Sequence, residues 1–343
     1  PSHIGISAIS CLVIARKMEI HLSRSNQDVQ VIPALQATRV AVLVPCFNEE
    51  VSIAAVVGGF KAALPAAEIY VYDNNSTDQT ARVAAGAGAQ VRKEPMQGKG
   101  NVVRRMFSDV DADVYVMVDG DSTYDPSSAP GMIAMLLKEH LDMVVGVRLP
   151  SIGTAYRRGH RFGNRMLTLT VSHLFGNRFT DILSGYRVLS RRFVKSFPAM
   201  SNGFETETEL TIHALELRLP VEEVETPYNG RIEGSTSKLQ TYSDGFRILR
   251  QILLLYKNER PLRFFSVIGC ILGAVALALG IPLFVTFIET GLVFRQPTAI
   301  LATGLIVLSA LSFVTGLILD TVTRGRREMK RLAYLMAEQA ERH

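Results

Sequence analysis

Tyr115-Val116-Met117-Val118-Asp119-Gly120-Asp121-Ser122-Thr123 is the stretch from which the fold is read. An apolar run that begins at Val114 stops at two carboxylates with one glycine between them. A short run of β-branched and aromatic residues is the pattern of a buried strand, and glycine lets the backbone turn at its end. Asp119 and Asp121, two positions apart, can then converge on one hard cation, which takes oxygen ligands. A cation held there could fix a diphosphate and neutralise its charge as it leaves. Taken alone, Asp-x-Asp at a strand end is more often a turn with solvated carboxylates, so the rest of the chain decides.

Upstream, a strand–helix alternation starts at Arg39. Val40 to Val44 reads as a strand stopped by Pro45, and Glu49 to Leu64 has helical spacing broken by Pro65. Ile69 to Tyr72 is a strand ending at Asp73, Thr77 to Ala87 a helix, and Ala89 to Arg92 a short strand. Gly98-Lys99-Gly100 opens a helix that runs to Asp109. Downstream of the central stretch, Ser128 to His140 reads as a helix and Met143 to Val147 as a strand. Apolar strands alternating with helices imply an α/β fold with a mostly parallel central sheet. Ligands of such sheets sit beyond the carboxyl ends of the strands. Pro45–Glu50, Asp73–Asp78, Asp119–Asp121 and Arg148 all fall there. Asp78 is read as a helix cap rather than a ligand. His160, His173 and His213 share no metal spacing.

Farther on, charge and glycine concentrate at Asp181–Arg187 and Gly203–Glu209, and Arg218 to Tyr228 brings another short strand. Residues 151–180 are basic and mixed, which suits an amphipathic helix at a membrane surface or an ordinary surface helix. Arg231 to Lys238 is a polar loop with glycine, and Tyr242 to Tyr256 has helical periodicity. Then the character changes. Phe264 to Phe287 and Thr298 to Leu319 carry no charge and are each long enough to span a bilayer. Lys257, Arg260 and Arg263 precede the first run, and Arg324, Arg326, Arg327, Lys330 and Arg331 follow the second. The positive-inside rule then places both ends in the cytoplasm.

Composition agrees. The chain has 343 residues, 48% hydrophobic, with a net charge of +5 and a mean hydropathy of +0.18. That hydropathy is high for a wholly soluble chain. The positive charge suits anionic lipid or nucleotide diphosphates, or is simply the flanking charge of membrane segments. The basic residues cluster beside apolar runs rather than aromatic platforms, which speaks against nucleic acid. Cys11, Cys46 and Cys270 have neither metal nor disulfide spacing, which fits a reducing compartment. Ile4 to Ile14 is apolar but too short to span, and no Ala-x-Ala cleavage site follows it. It reads as an interfacial helix or as the stump of a cut segment; the chain begins at Pro1 rather than Met. Three parts result: a segment 1–36, an α/β domain 37–256, and a membrane hairpin with a basic tail, 257–343.

Together these clusters resemble family 2 glycosyltransferases with the GT-A fold, a nucleotide-sugar-binding domain. More narrowly they resemble the polyprenyl-phosphate branch, similar to dolichyl-phosphate mannose synthase. The resemblance covers roughly Arg39 to Ile248. Pro45-Cys46-Phe47-Asn48-Glu49-Glu50 matches the opening Pro-x-Tyr/Phe-Asn-Glu motif, which implies that Pro45, Phe47, Asn48 and Glu49 touch the nucleoside. Asp73-Asn74-Asn75-Ser76-Thr77-Asp78-Gln79-Thr80 matches an element whose first Asp reads the base, implicating Asp73 and Asn75. Gly98-Lys99-Gly100 matches a loop near the diphosphate, which assigns Lys99 there. Asp119 and Asp121 stand where the family binds its metal, here Mg²⁺ or Mn²⁺. Thr123 occupies the position at which several relatives carry Gln as a further ligand. Asp181 with Ser184-Gly185-Tyr186-Arg187 matches Asp-x-x-Ser-Gly-Phe/Tyr-Arg and adds Asp181, Ser184 and Arg187. Arg231 to Leu239 resembles Arg-x-x-Gly-x-Ser-Lys-Leu, which implicates Arg231 and Lys238 at the phosphates; Gly234-x-x-Ser237-Lys238 is one residue longer than the family pattern.

The resemblance implies inverting transfer of a sugar from a UDP- or GDP-linked donor to a polyprenyl (undecaprenyl or dolichyl) monophosphate, with Asp119, Asp121 and Arg187 carrying the chemistry. A phosphate oxygen is already anionic at neutral pH, so the acceptor does not call for a strong general base. It calls for cations, and Arg148, Arg187, Arg231 and Lys238 are the candidates. The expected place is a bacterial inner membrane, with the catalytic domain in the cytoplasm; a homo-oligomer is compatible with all of this. Two alternatives stand beside it. A polysaccharide synthase would hold its growing chain with Gln-x-x-Arg-Trp, and this chain has no Trp. An inactive membrane scaffold would not need the Asp119-x-Asp121 pair.

Overall fold

The computed structural model describes residues 38–150, 166, 168–172, 179–200, 205–230, 250 and 253–339. Residues 1–36, most of the basic stretch 151–180, the loop 231–238 and most of 242–256 lie outside them. The chain divides into two compact units. One holds the described residues up to 150, those within Leu183–Ala214, and 218–230. The other holds residues 166, 168–172 and 179–182, Leu215–Leu217 and the described chain from 250 onward.

The first unit is built on a seven-stranded sheet. Its strands are β1 (Val40–Cys46), β2 (Glu68–Asp73), β3 (Gln90–Lys93), β4 (Val114–Met117), β5 (Met143–Pro150), β6 (Arg187–Ser190) and β7 (Val221–Tyr228), in the order β3-β2-β1-β4-β6-β5-β7. All pairings are parallel except those of β6, which runs antiparallel to both β4 and β5. The mostly parallel sheet expected above is therefore present. β1 runs through Pro45 to Cys46 rather than stopping before the proline; a missing N–H is tolerated at a strand end.

The helices follow from periodicity. In α1 (Ile53–Ala63), Ile53, Val56, Val57 and Phe60 recur at helical spacing and are the buried residues. They join Val42, Val44, Val116 and Val118 in one core, together with Met132, Ile133 and Leu136 of α4 (Ala129–Lys138). Between these lie α2 (Thr80–Gly86) and α3 (Lys99–Asp109). Strand side chains alternate faces, so Tyr115 points opposite to Val114 and Val116. There it meets Phe107 of α3, with ring centroids 6.4 Å apart. After β6 come α5 (Arg191–Ser196) and α6 (Thr206–Leu217). A fully buried Val, Leu or Phe is worth about 1.5–3 kcal/mol, and β1, β2 and β4 are buried on both faces. The central strands are therefore rigid, and the loops at their carboxyl ends inherit that rigidity.

The second unit contains α7 (Pro261–Thr290) and α8 (Gln296–Gln339), joined by a short turn in which Gly291 has φ +70°. Both are long and apolar enough to cross a membrane, and only 11% of the apolar window of each is buried, unlike the helices of a soluble core. Small residues let the two approach closely: Ser309 donates to the Gly269 carbonyl at 2.7 Å, and a Cβ on Gly269 would lie 2.8 Å from the Phe313 ring. α8 continues well beyond the apolar run. A charge cluster holds its extension. Arg327 reaches Glu259 at 3.0 Å and Glu216 at 3.3 Å, Arg326 reaches Glu259 at 2.8 Å, and Lys330 reaches Glu216 at 2.5 Å.

Two buried carboxyls sit together in that cluster. Burial and the neighbouring Glu216 push Glu259 up to about 7. Burial also opposes ionisation of Glu216, but the shared proton of Glu259 and the charge of Lys330 outweigh it and pull Glu216 down to about 2. Between the ordinary glutamate value and about 7, the folded chain keeps a proton on Glu259 that the unfolded chain releases, so stability falls as pH rises through that window. Glu216 acts oppositely, and its contribution is lost only as pH drops below the ordinary glutamate range. The melting temperature in detergent is expected to fall between pH 5 and pH 8, by an amount equivalent to about 2–3 kcal/mol. Glu259→Gln, which removes the titration, should flatten that slope; an unchanged slope would place its origin elsewhere.

Candidate active site

The carboxyl ends of β1 and β2 are stitched together. Asn48 has φ 52° and sits just after β1. Its N–H donates to Ser76 Oγ at 2.9 Å, and its Oδ1 accepts from the Thr77 N–H at 2.8 Å. The Glu49 N–H donates to Thr80 Oγ1 at 2.8 Å. Asp78 accepts from the Thr80 and Glu50 N–H groups at 3.0 and 3.2 Å; it stands one residue before Gln79, the cap of α2, rather than at the cap expected of it. Burial resists its charge, but these donors win and hold Asp78 below the usual carboxylate range. Pro45 and Phe47 are half-buried beside this seam.

Asp73 ends β2 and is 4% exposed. Among the described residues its Oδ1 is buried with no hydrogen-bond donor. Leaving a buried carboxylate oxygen unsatisfied is costly, so the position calls for a donor. Asn75, at φ 62°, is exposed and gives its amide to the Pro95 carbonyl at 2.6 Å. The neighbouring Asn74 has no assigned role in the sequence reading, yet it organises the edge. Its amide donates to the carbonyls of Glu94 and Met96 at 2.9 and 2.8 Å, its Oδ1 accepts from the Gly98 N–H at 2.7 Å, and its own N–H reaches the Cys46 carbonyl at 2.9 Å. One buried side chain thus fixes the loop that delivers Lys99.

β4 delivers the acidic pair. Asp119 has a side chain 32% exposed, and Asp121 is 7% exposed. The Gly120 carbonyl accepts from Ser52 Oγ at 2.7 Å, and a Cβ on Gly120 would come within 2.6 Å of Cys46 Sγ. The turn is thereby pinned against the start of α1. Ser122 follows at φ 59°. The Thr123 hydroxyl donates to Asp121 Oδ1 at 2.6 Å, and its N–H reaches the same oxygen at 3.3 Å. Thr123 is buried behind Asp121 and orients it.

Lys99 opens α3 and places its ammonium between two carboxylates, Asp119 and Glu207 of α6. Burial opposes that charge, but the two acids outweigh it and raise Lys99 well above the lysine range. Glu207 is buried and has no single role in the sequence reading, which places it only within the charged stretch Gly203–Glu209. Gly185 closes the other side of Asp119. A Cβ there would lie 2.9 Å from Asp119 Cγ and nearer still to Oδ2, and the Gly185 N–H is fixed to the Tyr124 hydroxyl at 2.9 Å. The Tyr124 ring packs edge-on against Tyr228 and at a tilt against Tyr186, with centroids 5.3 and 5.4 Å away.

The other expected residues distribute less evenly. Ser184 donates to the Gly146 carbonyl at 2.5 Å and supports the entry to β6. Arg187 is wholly buried; its guanidinium donates to the Ser184 carbonyl at 3.0 Å, to Thr211 Oγ1 at 3.0 Å and toward Met143 Sδ at 3.3 Å. That environment makes it a brace between β6, β5 and α6 in this structure. Arg148, on β5, lies 5.7 Å from the centroid of the Tyr228 ring. Asp181 is buried within the second unit. Arg231 and Lys238 lie outside the described residues.

The residues at β4 fit a divalent metal by their chemistry. They offer two carboxylates on one turn, with Asp119 accessible and Asp121 pre-oriented, and hard cations favour oxygen. Among the described residues no group of three or more His, Cys, Asp or Glu is arranged to hold a metal. Two protein carboxylates with ligand oxygens and water completing the shell is the ordinary arrangement for Mg²⁺ beside phosphates.

Comparison with known proteins adds the family. Residues 41–197 match the family described as glycosyl transferase family 2. Glycosyltransferase AglJ of Haloferax volcanii is 33% identical over 72% of this chain and 81% of its own length. The dodecaprenyl-phosphate galacturonate synthase of Rhizobium johnstonii is 23% identical over 84% of this chain and 89% of its own. The fold matches the crystal structure of Mycobacterium tuberculosis glucosyl-3-phosphoglycerate synthase in complex with Mn²⁺, UDP-glucose and phosphoglyceric acid, with a TM-score of 0.55 at 22% identity over 66% of this chain and 81% of that one. The family match runs from β1 past β6, and AglJ is matched over most of its length: the chain belongs to glycosyl transferase family 2.

Proposed function

We propose that this glycosyltransferase moves a sugar from a nucleotide-diphosphate sugar to a polyprenyl monophosphate at a membrane surface. The observation that carries the donor half is the single sheet edge shared by the unsatisfied Asp73 oxygen, Lys99 and the Asp119–Asp121 pair. Asp73 accepts from an N–H of the base. Asn48 and Glu49, locked to the β2 loop, wall the nucleoside pocket. Asp119 and Asp121 would hold Mg²⁺ or Mn²⁺, which when bound neutralises charge on the departing diphosphate. Lys99 adds a fixed positive charge beside them. Because the solved neighbour above was captured with UDP-glucose and Mn²⁺, a uridine donor with Mn²⁺ is the first pair to try.

The acceptor half rests on two features. α7 and α8 are apolar helices long enough to cross a bilayer, and the Rhizobium relative is named for a dodecaprenyl-phosphate product. The lipid phosphate brings its own anionic nucleophile, so this chain supplies cations rather than a base; Arg148, Arg231 and Lys238 are assigned that task. By the positive-inside rule, the basic residues flanking the apolar helices support a cytoplasmic sheet unit. A single in-line displacement inverts the anomeric centre.

The test offers purified protein in detergent labelled UDP-glucose, GDP-mannose or UDP-N-acetylglucosamine with undecaprenyl phosphate and Mn²⁺. An organic-extractable labelled product that EDTA abolishes is expected with one donor. Transfer to an added sugar hydroxyl but never to the lipid would overturn the acceptor assignment and leave the donor site standing.

A further inference from the structure

Glu207 is a buried acid at this edge that the proposed reaction does not use. Its partner is unusual too. Lys99 is the first residue of α3, whose first turn has no acidic residue and whose Gly98 N-cap contributes no side chain. The amino end of a helix repels a cation, and the site also buries the ammonium. Two carboxylates overcome both costs, Asp119 and Glu207. They are not equivalent. Asp119 is a third exposed and belongs to the acidic pair, whereas the Glu207 side chain is 6% exposed. A divalent cation arriving at Asp119 competes with Lys99 for the same carboxylate and is repelled by its charge.

We infer that Glu207 is a positioning residue: it anchors Lys99 so that Asp119 can turn to a divalent cation while the ammonium stays at the diphosphate. This rests on the reading of Asp119 and Asp121 as the cation site. Lys99, Glu207, Asp119 and Asp121 together carry a formal charge of −2. With Glu207 neutral, that falls to −1, and Lys99 has only Asp119 to pair with. Cation binding then loses both charge and a free ligand. With Lys99 neutral as well, the sum returns to −2 and the competitor is gone.

The experiment is UDP binding to the full chain in detergent, by calorimetry, over a Mn²⁺ titration and without any acceptor. Glu207→Gln is expected to need at least about ten-fold more Mn²⁺ for half-maximal UDP binding. Read as Mn²⁺ affinity in the absence of UDP, so that the loss of Lys99 from the diphosphate does not enter, the double variant Lys99→Met/Glu207→Gln is expected to return to within about three-fold of wild type. Lys99→Gln alone should bind Mn²⁺ more tightly than wild type, and it stands in where Glu207→Gln does not fold. A double variant as weak as Glu207→Gln would overturn the inference, because Glu207 would then touch cation or ligand directly. Glu207→Gln with the wild-type Mn²⁺ dependence would overturn it as well. Failure of the wild type to bind UDP in a Mn²⁺-dependent way would instead overturn the cation-site reading on which it rests.

Discussion

Asp121→Asn is expected to leave a folded protein whose sugar transfer is reduced at least about 1,000-fold. The substitution is chosen for what it keeps. Asp121 is buried, and its Oδ1 accepts from the Thr123 hydroxyl and N–H. Asparagine retains an oxygen for those donors and nearly the same volume, so the turn after β4 holds. What disappears is a negative charge aimed at the cation. Asp119→Asn would be less clean, since Asp119 also neutralises Lys99. The measurement is the initial rate with Mn²⁺ and donor in excess, beside a thermal melt. A folded Asp121→Asn protein retaining a tenth of the wild-type rate would remove Asp121 from the metal site.

Gly185→Ala should separate stability from function. The glycine is not in the left-handed region, so alanine adopts its backbone without strain. The added methyl instead meets the Asp119 carboxylate, 2.9 Å from Cγ and closer to Oδ2. The backbone there cannot retreat easily, because the Gly185 N–H is held by Tyr124. The end of a side chain moves more cheaply than a strand, so Asp119 swings away. Such a shift costs little in folding, about 1 kcal/mol or less, but misplacing a reacting group by about 1 Å costs roughly 100-fold in rate. The expected result is a melting temperature within a few degrees of wild type, a transfer rate down about 100-fold and weakened Mn²⁺-dependent UDP binding. An unfolded variant, or one with unchanged rate, would show that Gly185 is not shaping Asp119.

The parallel half of the sheet was legible because its strands are short, apolar and separated by helices with clean spacing. α1 shows this best, with Ile53, Val56, Val57 and Phe60 in register. The acidic turn and the two apolar helices were readable for the same reason: each is an abrupt change of polarity. β6 was not, being four residues long and hidden in a motif that draws attention to Arg187. α6 was hidden by its buried polar face, since Thr206, Glu207, Thr208, Thr211 and His213 are all buried and no apolar stripe marks them. Arg187 shows what a motif leaves unsaid. Its position in the sequence suggested a reactive cation, and the structure adds that it is buried and donates to Ser184 and Thr211 and toward Met143. Glu207 meets Lys99 across more than a hundred residues, and spacing carries no trace of such a pair.

The antiparallel β6 has a consequence for how the protein is made. β4 has β1 on one side and β6 on the other, yet β6 begins only at Arg187. Translation proceeds at about 5–20 residues per second. After β4 leaves the ribosome, one of its edges therefore stays unpaired for several seconds, and so does β5. An open, apolar strand edge is a template for pairing with another chain. β4, which leads into Asp119, waits with one open edge in the nascent protein and β5 with two, and chaperone demand during expression should peak during that interval. Once β7 is out, at Tyr228, the sheet can close before the first long apolar helix begins at Pro261. The order of the strands along the chain lets the sheet unit finish folding before the first of the two helices long and apolar enough to cross a membrane is made.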